Sequence, residues 1–553
     1  MQQLPIGISD FKKIRENNFY YIDKSLIIKE FLYSSESCLL LRPRRFGKTL
    51  NLSMIKYFFD IKEDNRHIFK GLKIEKEKEF KLLNKHPVIF LTFKDIKSSN
   101  YEECMQKVYN EINKLVSEYY NDIMDVANQS QKITLENIFL KKAIKGDYES
   151  ILLLLSELLY KKYNTQVVIL IDEYDTPIHY SYTKGYYDEF IEFMRGFLSA
   201  GFKDNSYLFK GLITGILRVS KESIFSGLNN VISYTLLDKE FSDKLGFTID
   251  ETKKLLKDYN LNEKFNEVMD NYNGYKIGDI DILNPWSVLN YTSKGKKALP
   301  LPFWANTSSN DILVHLVKIS SFEFKKNLEK IVKNEIIEDI EINQNITFPL
   351  LEKDERMIYS LMFFAGYLKC EHKEFIGSSY YCDLKAVNKE VLYIFENIIQ
   401  EWINEGYRNS ELQSMLKYLL NGEIEYFEEM LNDFILKTLS YFDTSKKIEA
   451  VYHAFLLGML VNLKPRYEVI SNGESGYGRF DIMILPKKDK NKLAIIMELK
   501  KLKDETPDKA LQKALNQIEE KKYDTIAKEK GYSNILKLGI VFDGKKVWMK
   551  QNK

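Results

Sequence analysis

Cysteine is scarce in this 553-residue sequence: four residues, Cys38, Cys104, Cys370 and Cys382, with no C-x-x-C pair among them. That spacing excludes a zinc knuckle and a disulfide framework, and it fits a reduced, cytoplasmic compartment. The opening MQQLPIGISDFKK lacks the basic-then-apolar pattern of a secretory leader, and no apolar run approaches the roughly 20 residues of a membrane span. A soluble, intracellular protein without a membrane partner is therefore expected. Excess charge of one sign is also missing, since 81 Lys and Arg nearly balance 79 Asp and Glu. Internal repeats and low-complexity linkers are absent too, which argues against a solenoid.

What is present is ample apolar material, 44% hydrophobic with 13% aromatic and 29% charged residues, in a chain long enough for two or three domains. The charge is unevenly spread. Residues 441–553 carry 23 basic and 15 acidic side chains, net +8, against net −6 for the first 440, so the carboxy-terminal segment is the one suited to a polyanion. Strand-like stretches at 38–41, 87–93, 167–175 and 208–216 alternate with helix-like stretches such as 101–120 and 148–162. This alternation predicts a parallel, doubly wound α/β sheet over residues 1–240. LGFTIDETKKLLKDY has a Thr cap and early acids, and opens a helical lid expected over 241–308. Residues 309–440 read as a mostly helical middle region with an irregular break near HKEFIGSSYYCD. From 441 to 553 a helix (AVYHAFLLGMLVNL), strands, the helix PDKALQKALNQIEEKKYD and closing strands make a small α/β domain.

The stretch LLLRPRRFGKTLNLSM, residues 39–54, ends its loop in Gly47-Lys48-Thr49 like a phosphate-binding P-loop, yet G-x-x-x-x-G-K-[ST] requires glycine where Arg42 stands. In such a loop Lys48 bridges the β and γ phosphates, Thr49 binds Mg²⁺ and Gly47 allows close approach. Arg42, Arg44 and Arg45 are expected to replace part of the backbone cradle with guanidinium charge. A basic surface turn is the bland alternative for these residues alone. VVILIDEYD weighs against it: an apolar strand ending in Asp172-Glu173 is the form of a Walker B segment, with Asp172 holding Mg²⁺ through water and Glu173 polarising the attacking water. PVIFLTF, residues 87–93, is read as the additional central strand. Thr214, at the end of LITGI, is placed to sense a γ phosphate, and Arg218 is a sensor or finger arginine or, equally, a structural salt bridge.

A second constellation lies in the basic segment. GRFDIMI sets Asp481 at a strand start, and IIMELKK sets Glu498 and Lys500 two apart, hence on one face of a strand. Two acids on neighbouring strands can hold Mg²⁺ beside a scissile phosphate while a lysine orients water. A solvated charged edge is the bland reading. Glu474 is a further acid on the approach, His453 a lone helical histidine, and Lys487, Lys488, Lys490, Lys501 and Lys503 candidates for tracking phosphates.

The runs LPIGISDFKKIRENNFYYIDKS, RPRRFGKTL, ILIDEYDTPI, GILRVSKESIFSGLNN and NGY…NPWSV resemble, in order, the AAA-ATPase-like family of bacterial P-loop ATPases with a carboxy-terminal PD-(D/E)XK nuclease-superfamily domain. The resemblance implies a P-loop NTPase sheet with helical lid and helical middle region, followed by a small PD-(D/E)XK nuclease-like α/β domain whose helix carries Gln517 and Tyr523. It further implies that RPRRFGK is an ordinary form of the loop. The expected function is an ATP-binding and hydrolysing protein coupled to a metal-dependent nuclease-like domain acting on nucleic acid, DNA before RNA, in defence or mobile-element processing. ATP and Mg²⁺, with Mn²⁺ as an alternative ion at the second site, are the expected cofactors, and a homo-oligomer is an expected assembly. Other readings stay open: a regulatory or scaffolding ATPase whose nuclease-like domain binds nucleic acid or a partner without cleaving, and an ATPase motor that does not cut.

Overall fold

The computed structural model describes residues 1–552 except 220–223, 225–227, 229, 305–310, 405–408, 439–455, 457–458, 461–462, 464–465, 472 and 544–545. His453, and most of the helix expected over 450–463, lie outside the described residues, as does the expected boundary at 440. The chain divides into two compact units, Met1–Ser308 with Ile336–Val391, and Ser309–Glu335 with Leu392–Lys553. The segment 309–440, expected as one middle domain, is thus shared between both units.

In the first unit, β1 (Ser37–Leu41), β2 (Val88–Thr92), β3 (Val167–Asp172), β4 (Leu208–Gly215) and β5 (Val231–Tyr234) form one parallel sheet in the order β2-β3-β4-β1-β5. Every residue of β1 and β3 is buried, as their unbroken apolar runs require when helices cover both faces. The helices α1 (Lys48–Phe59), α2 (Tyr101–Met124), α3 (Lys145–Tyr163) and α4 (Tyr187–Phe202) flank the sheet, with α2 and α3 on the helix-like stretches read at 101–120 and 148–162. Cys38, Leu40, Leu52, Ile55, Val168, Leu170 and Leu212 are part of one core cluster between α1 and the sheet. One expectation is corrected here. Residues 87–93 form an edge strand, and it is β4 that separates β1 from β3, because a parallel crossover can insert a later strand between two earlier ones.

The lid begins with β6 (Phe247–Thr248) and α5 (Ile249–Asp258), whose cap is reciprocal: Glu251 N donates to Thr248 Oγ1 and Thr248 N to the Glu251 carboxylate. It is not wholly helical. β6, β7 (Tyr275–Ile277) and β8 (Ile280–Leu283) make a small antiparallel sheet, and α6 (Pro285–Ser293) follows. The middle region is likewise not all helical: β9 (Ile337–Ile342), β10 (Leu368–Ile376) and β11 (Ser379–Ala386) pair antiparallel in the order β10-β11-β9. The supposed irregular break near residue 377 is the β10–β11 turn, with Gly377 at φ 63°. Its strands escaped the sequence reading because β10 is largely exposed and carries mixed polar residues, with no clean alternation to detect.

Glu390, in this unit, is buried beneath the lid, accepting hydrogen bonds from Ser287 Oγ and from the backbone N–H of Trp304 at 2.7 Å. Burial pushes its carboxyl up to about 7. The folded protein therefore binds this proton more tightly than the unfolded chain, so the group's contribution falls as pH rises from the ordinary glutamate range toward 7 and is least favourable above that. Glu390→Gln is expected to raise the melting temperature more at pH 8 than at pH 5, which parallel thermal melts measure.

The second unit holds a mixed sheet of β12 (Tyr467–Ser471), β15 (Ile482–Pro486), β16 (Ala494–Lys501), β17 (Ile535–Asp543) and β18 (Lys546–Asn552) in that order, with only the β16–β17 pair parallel. A short hairpin, β13 (Glu474–Ser475) and β14 (Gly478–Arg479), precedes β15. The helix α7 (Ile424–Thr438) covers the β18 edge: Asn432 Nδ2 donates to the Val547 carbonyl while Val547 N donates to Asn432 Oδ1, so a side-chain amide stands in for a missing strand. On the sheet face, α8 (Pro507–Glu520) contributes Leu515 and Ile518 to a core with Met483, Leu485 and Ile496.

Candidate functional sites

The first site is built where β1, β3 and β4 end. β1 runs into the loop 42–47, and α1 starts at Lys48 after Gly47, whose φ of 84° suits a residue without a side chain. Two non-glycine residues also have positive φ, Arg45 (67°) in this loop and Glu173 (52°) just past β3. Backbone of this uncommon kind is concentrated at ligand-holding turns. Lys48 is buried, its Nζ donating to the carbonyls of Arg42 (2.9 Å) and Pro43 (3.0 Å). Burial lowers its pKa, opposed by the charges of Glu173, Asp175 and Asp172. Asp172 is fully buried and its two oxygens are each engaged, one accepting from Thr49 Oγ1 at 2.8 Å and the other from Thr214 Oγ1 at 2.7 Å. Burial raises the Asp172 pKa, and the two hydroxyls oppose the rise.

The arginines part company. Arg42 is fully buried, and its guanidinium donates to the carbonyls of Leu41, Tyr234, Thr235, Glu240 and Phe241. The reading of Arg42 as a phosphate-facing cation is corrected: its charge is spent fastening the chain after β5 to the end of β1. Burial pushes its pKa down to about 10. Arg42→Met is expected to cost about 3 kcal/mol of stability, since several buried carbonyls lose their donor. A thermal melt reads that loss, and nucleotide titration well below the transition should change little. Arg44 is half-buried, and its charge depresses Lys48. Arg45 is exposed and lies 4.5 Å from the ring centroid of Trp286 on α6. Phe46, buried, meets Tyr275 edge-on at 4.9 Å, and Gly246 N donates to the Phe46 carbonyl. The NGY and NPW motifs thus brace the loop.

Sequence reasoning missed two residues here. Asp175 accepts from the N–H groups of Ile216 (2.7 Å) and Leu217 (3.0 Å), while Tyr174 Oη donates to the Leu217 carbonyl and accepts from Val219 N. Both side chains are buried, and burial raises both pKa values. They hold the segment that carries Arg218, a half-buried residue whose Nε has no hydrogen-bond partner among the described residues. The signal was in view: an acid and a tyrosine directly after the strand, in DEYD.

The second site is in the other unit. β15 and β16 pair antiparallel with Ile482 opposite Met497, and Asp481 directly precedes β15. Leu499 N donates to Asp481 Oδ2 at 2.7 Å. Glu498 is buried, and Oε1 accepts from Lys500 Nζ at 2.7 Å and from Gln517 Nε2, whose amide also donates to Tyr523 Oη at 3.0 Å. Lys500 and Glu498 share a face of β16, as their spacing predicted. Glu474 is elsewhere, exposed on the β13–β14 hairpin and 3.6 Å from Arg479. Among the described residues no group of three or more His, Cys, Asp or Glu side chains could hold a metal ion. A pair of carboxylates still suits Mg²⁺, which takes one or two and fills its remaining positions with water and phosphate oxygens.

A strand, phosphate-type loop and helix on a parallel sheet, with a buried aspartate beside the loop threonine, define a P-loop NTPase-type domain; the mixed sheet with Asp481, Glu498 and Lys500 defines a nuclease-type α/β domain. Comparison with known families agrees: residues 5–225 match the AAA-ATPase-like family, described as "Predicted AAA-ATPase", and residues 447–552 match the PD-(D/E)XK nuclease superfamily. The chain is also 25% identical over 392 residues to an "Uncharacterized protein in vnfD 5'region" of Azotobacter chroococcum mcd 1, covering 70% of this chain and 68% of that protein.

Proposed function

We propose that this protein binds and hydrolyses ATP in its first unit and cleaves nucleic acid, DNA in preference to RNA, in its second. The observation that carries the reading is the Asp481–Glu498–Lys500 arrangement: Asp481, just before β15, accepts from the backbone N–H of Leu499, next to Glu498 on β16, and Lys500 donates to the Glu498 carboxylate. At the nucleotide site, Lys48 and Arg44 meet phosphate oxygens, and Gly47 allows their close approach to the loop. Thr49 and Asp172 would hold Mg²⁺, with Thr214 fixing the orientation of Asp172; the hard oxygen donors fit that ion. Glu173 accepts a proton from the attacking water, and Arg218 supplies positive charge toward the transferred phosphoryl group.

In the second site, Asp481 and Glu498 would hold Mg²⁺ or Mn²⁺, and such an ion supplies charge stabilisation at the scissile phosphate. Lys500 orients the attacking water, and Gln517 fixes the Glu498 carboxylate. The test is direct: purified protein is incubated with single-stranded and duplex DNA and RNA, with Mg²⁺ or Mn²⁺, with and without ATP. Cleavage of at least one substrate is the expected result. Intact ATPase activity with no cleavage under any of these conditions would sink the nuclease half of the proposal.

A further inference from the structure

The hairpin β13–β14 turns through Gly476 and Tyr477. Gly476 has φ 59°, and a Cβ there would lie 2.2 Å from the Lys521 carbonyl oxygen and 2.4 Å from that of Lys522, so the turn is pressed onto the chain that leaves α8. Hydrogen bonds seat it. Tyr477 N donates to the Lys521 carbonyl at 2.7 Å, Ser475 Oγ donates to the Tyr523 carbonyl at 2.8 Å, and Ile526 N donates to Ser475 Oγ at 3.2 Å. On this fixed backbone the Tyr477 side chain stands 71% exposed. The Lys522 ammonium lies 5.4 Å from its ring centroid, and Arg479, Lys521 and Lys522 are all exposed.

The location is specific. Two residues after the hairpin comes Asp481. The residue after Lys522 is Tyr523, against whose ring Gly478 packs, with 3.3 Å from an ideal Cβ to the ring, and whose hydroxyl shares Gln517 with Glu498. An exposed aromatic ring on an immobilised turn, flanked by cations and bordering paired carboxylates, suits a base face with phosphates on either side. Bases in an intact duplex are stacked on each other and present no free face. We propose that the Tyr477 hairpin is a stacking platform that seats an unpaired nucleic-acid strand beside Asp481 and Glu498, so that the second site acts on single-stranded or locally opened substrate. This rests on the nuclease reading of that site.

The test uses the full chain in EDTA, which separates binding from cleavage, with fluorescein-labelled 20-nucleotide oligo(dT), oligo(U) and a duplex of the same length followed by fluorescence anisotropy. The wild type is expected to bind the single strands more tightly than the duplex. Tyr477→Ala should weaken single-strand binding about 5- to 100-fold and duplex binding much less, since stacking is what is lost. Tyr477→Phe keeps the ring and should stay within about twofold. A double Lys521→Ala, Lys522→Ala variant should weaken all three ligands and flatten the salt dependence. Comparing the DNA and RNA arms assigns the sugar. Single-strand affinity unchanged in Tyr477→Ala, or tighter wild-type binding to duplex, overturns the platform. In those cases cleavage that is lost in Glu498→Gln while binding persists keeps the nuclease reading; a wild type that binds and cuts nothing overturns both.

Discussion

Lys48→Ala is expected to lower ATP turnover by on the order of 100-fold or more, the scale on which a preorganised donor to a transition-state oxygen acts. The physical ground is the position of the ammonium. It is buried at the start of α1, held to the Arg42 and Pro43 carbonyls, with the charges of Glu173, Asp175 and Asp172 opposing its loss of a proton. Solvent screens a buried charge less than an exposed one, which would strengthen its attraction for a phosphate at the loop. The measurement is steady-state phosphate release, with titration of a fluorescent ATP analogue alongside. Asp172→Asn is a companion that keeps the shape of the Thr49 and Thr214 contacts while removing the charge that would hold Mg²⁺. It should lose turnover while keeping a larger share of nucleotide affinity than Lys48→Ala. Turnover unchanged in Lys48→Ala would end the assignment of this loop.

Glu498→Gln should abolish the proposed nucleic-acid cleavage, with an expected drop of about 10²- to 10⁴-fold, because a metal ion held by Asp481 and Glu498 would lose one of its two carboxylates and several kcal/mol of charge stabilisation. The substitution is nearly isosteric, so folding is preserved and the salt link to Lys500 becomes a hydrogen bond from its ammonium to a neutral amide oxygen. Lys500→Ala should act in the same direction. A supercoiled plasmid or labelled oligonucleotide assay in Mg²⁺ reads both. ATP turnover should be unaffected, since Glu498 belongs to the unit that lacks the nucleotide loop. If Glu498→Gln cuts as fast as wild type, catalysis does not reside at this pair.

Much of this architecture could be read from residue order. Unbroken apolar runs such as VVILID demanded a strand covered on both faces, and all six of its residues are buried. The Thr cap and early acids of LGFTIDETKKLLKDY marked a helix start, and α5 begins directly after Thr248. Spacing of two on a strand put Glu498 and Lys500 on one face, where they are paired. These are local signals, set by side-chain periodicity and backbone hydrogen-bond needs within a few residues. β10 and β11 carried no such signal, because an exposed hairpin with mixed polar residues has little periodicity, and its strands exist through pairing with β9.

Arg42 shows where residue order stops. Beside Lys48 in the chain it looked like a phosphate ligand. Four of the five carbonyls that take up its guanidinium belong to Tyr234, Thr235, Glu240 and Phe241, 192 to 199 positions away, and only the packing of β5 against β1 brings them there. The same holds for β4, which lies between the two motif strands by crossover topology, and for Tyr174 and Asp175, whose partners lie in the segment that follows β4. The amino-acid sequence by itself determined the buried apolar strands of the first sheet and the one-face spacing of Glu498 and Lys500. Tertiary structure decided that the Arg42 charge holds the scaffold, because a long side chain takes its role from the partners within a few ångströms of its end, and those come from distant parts of the chain.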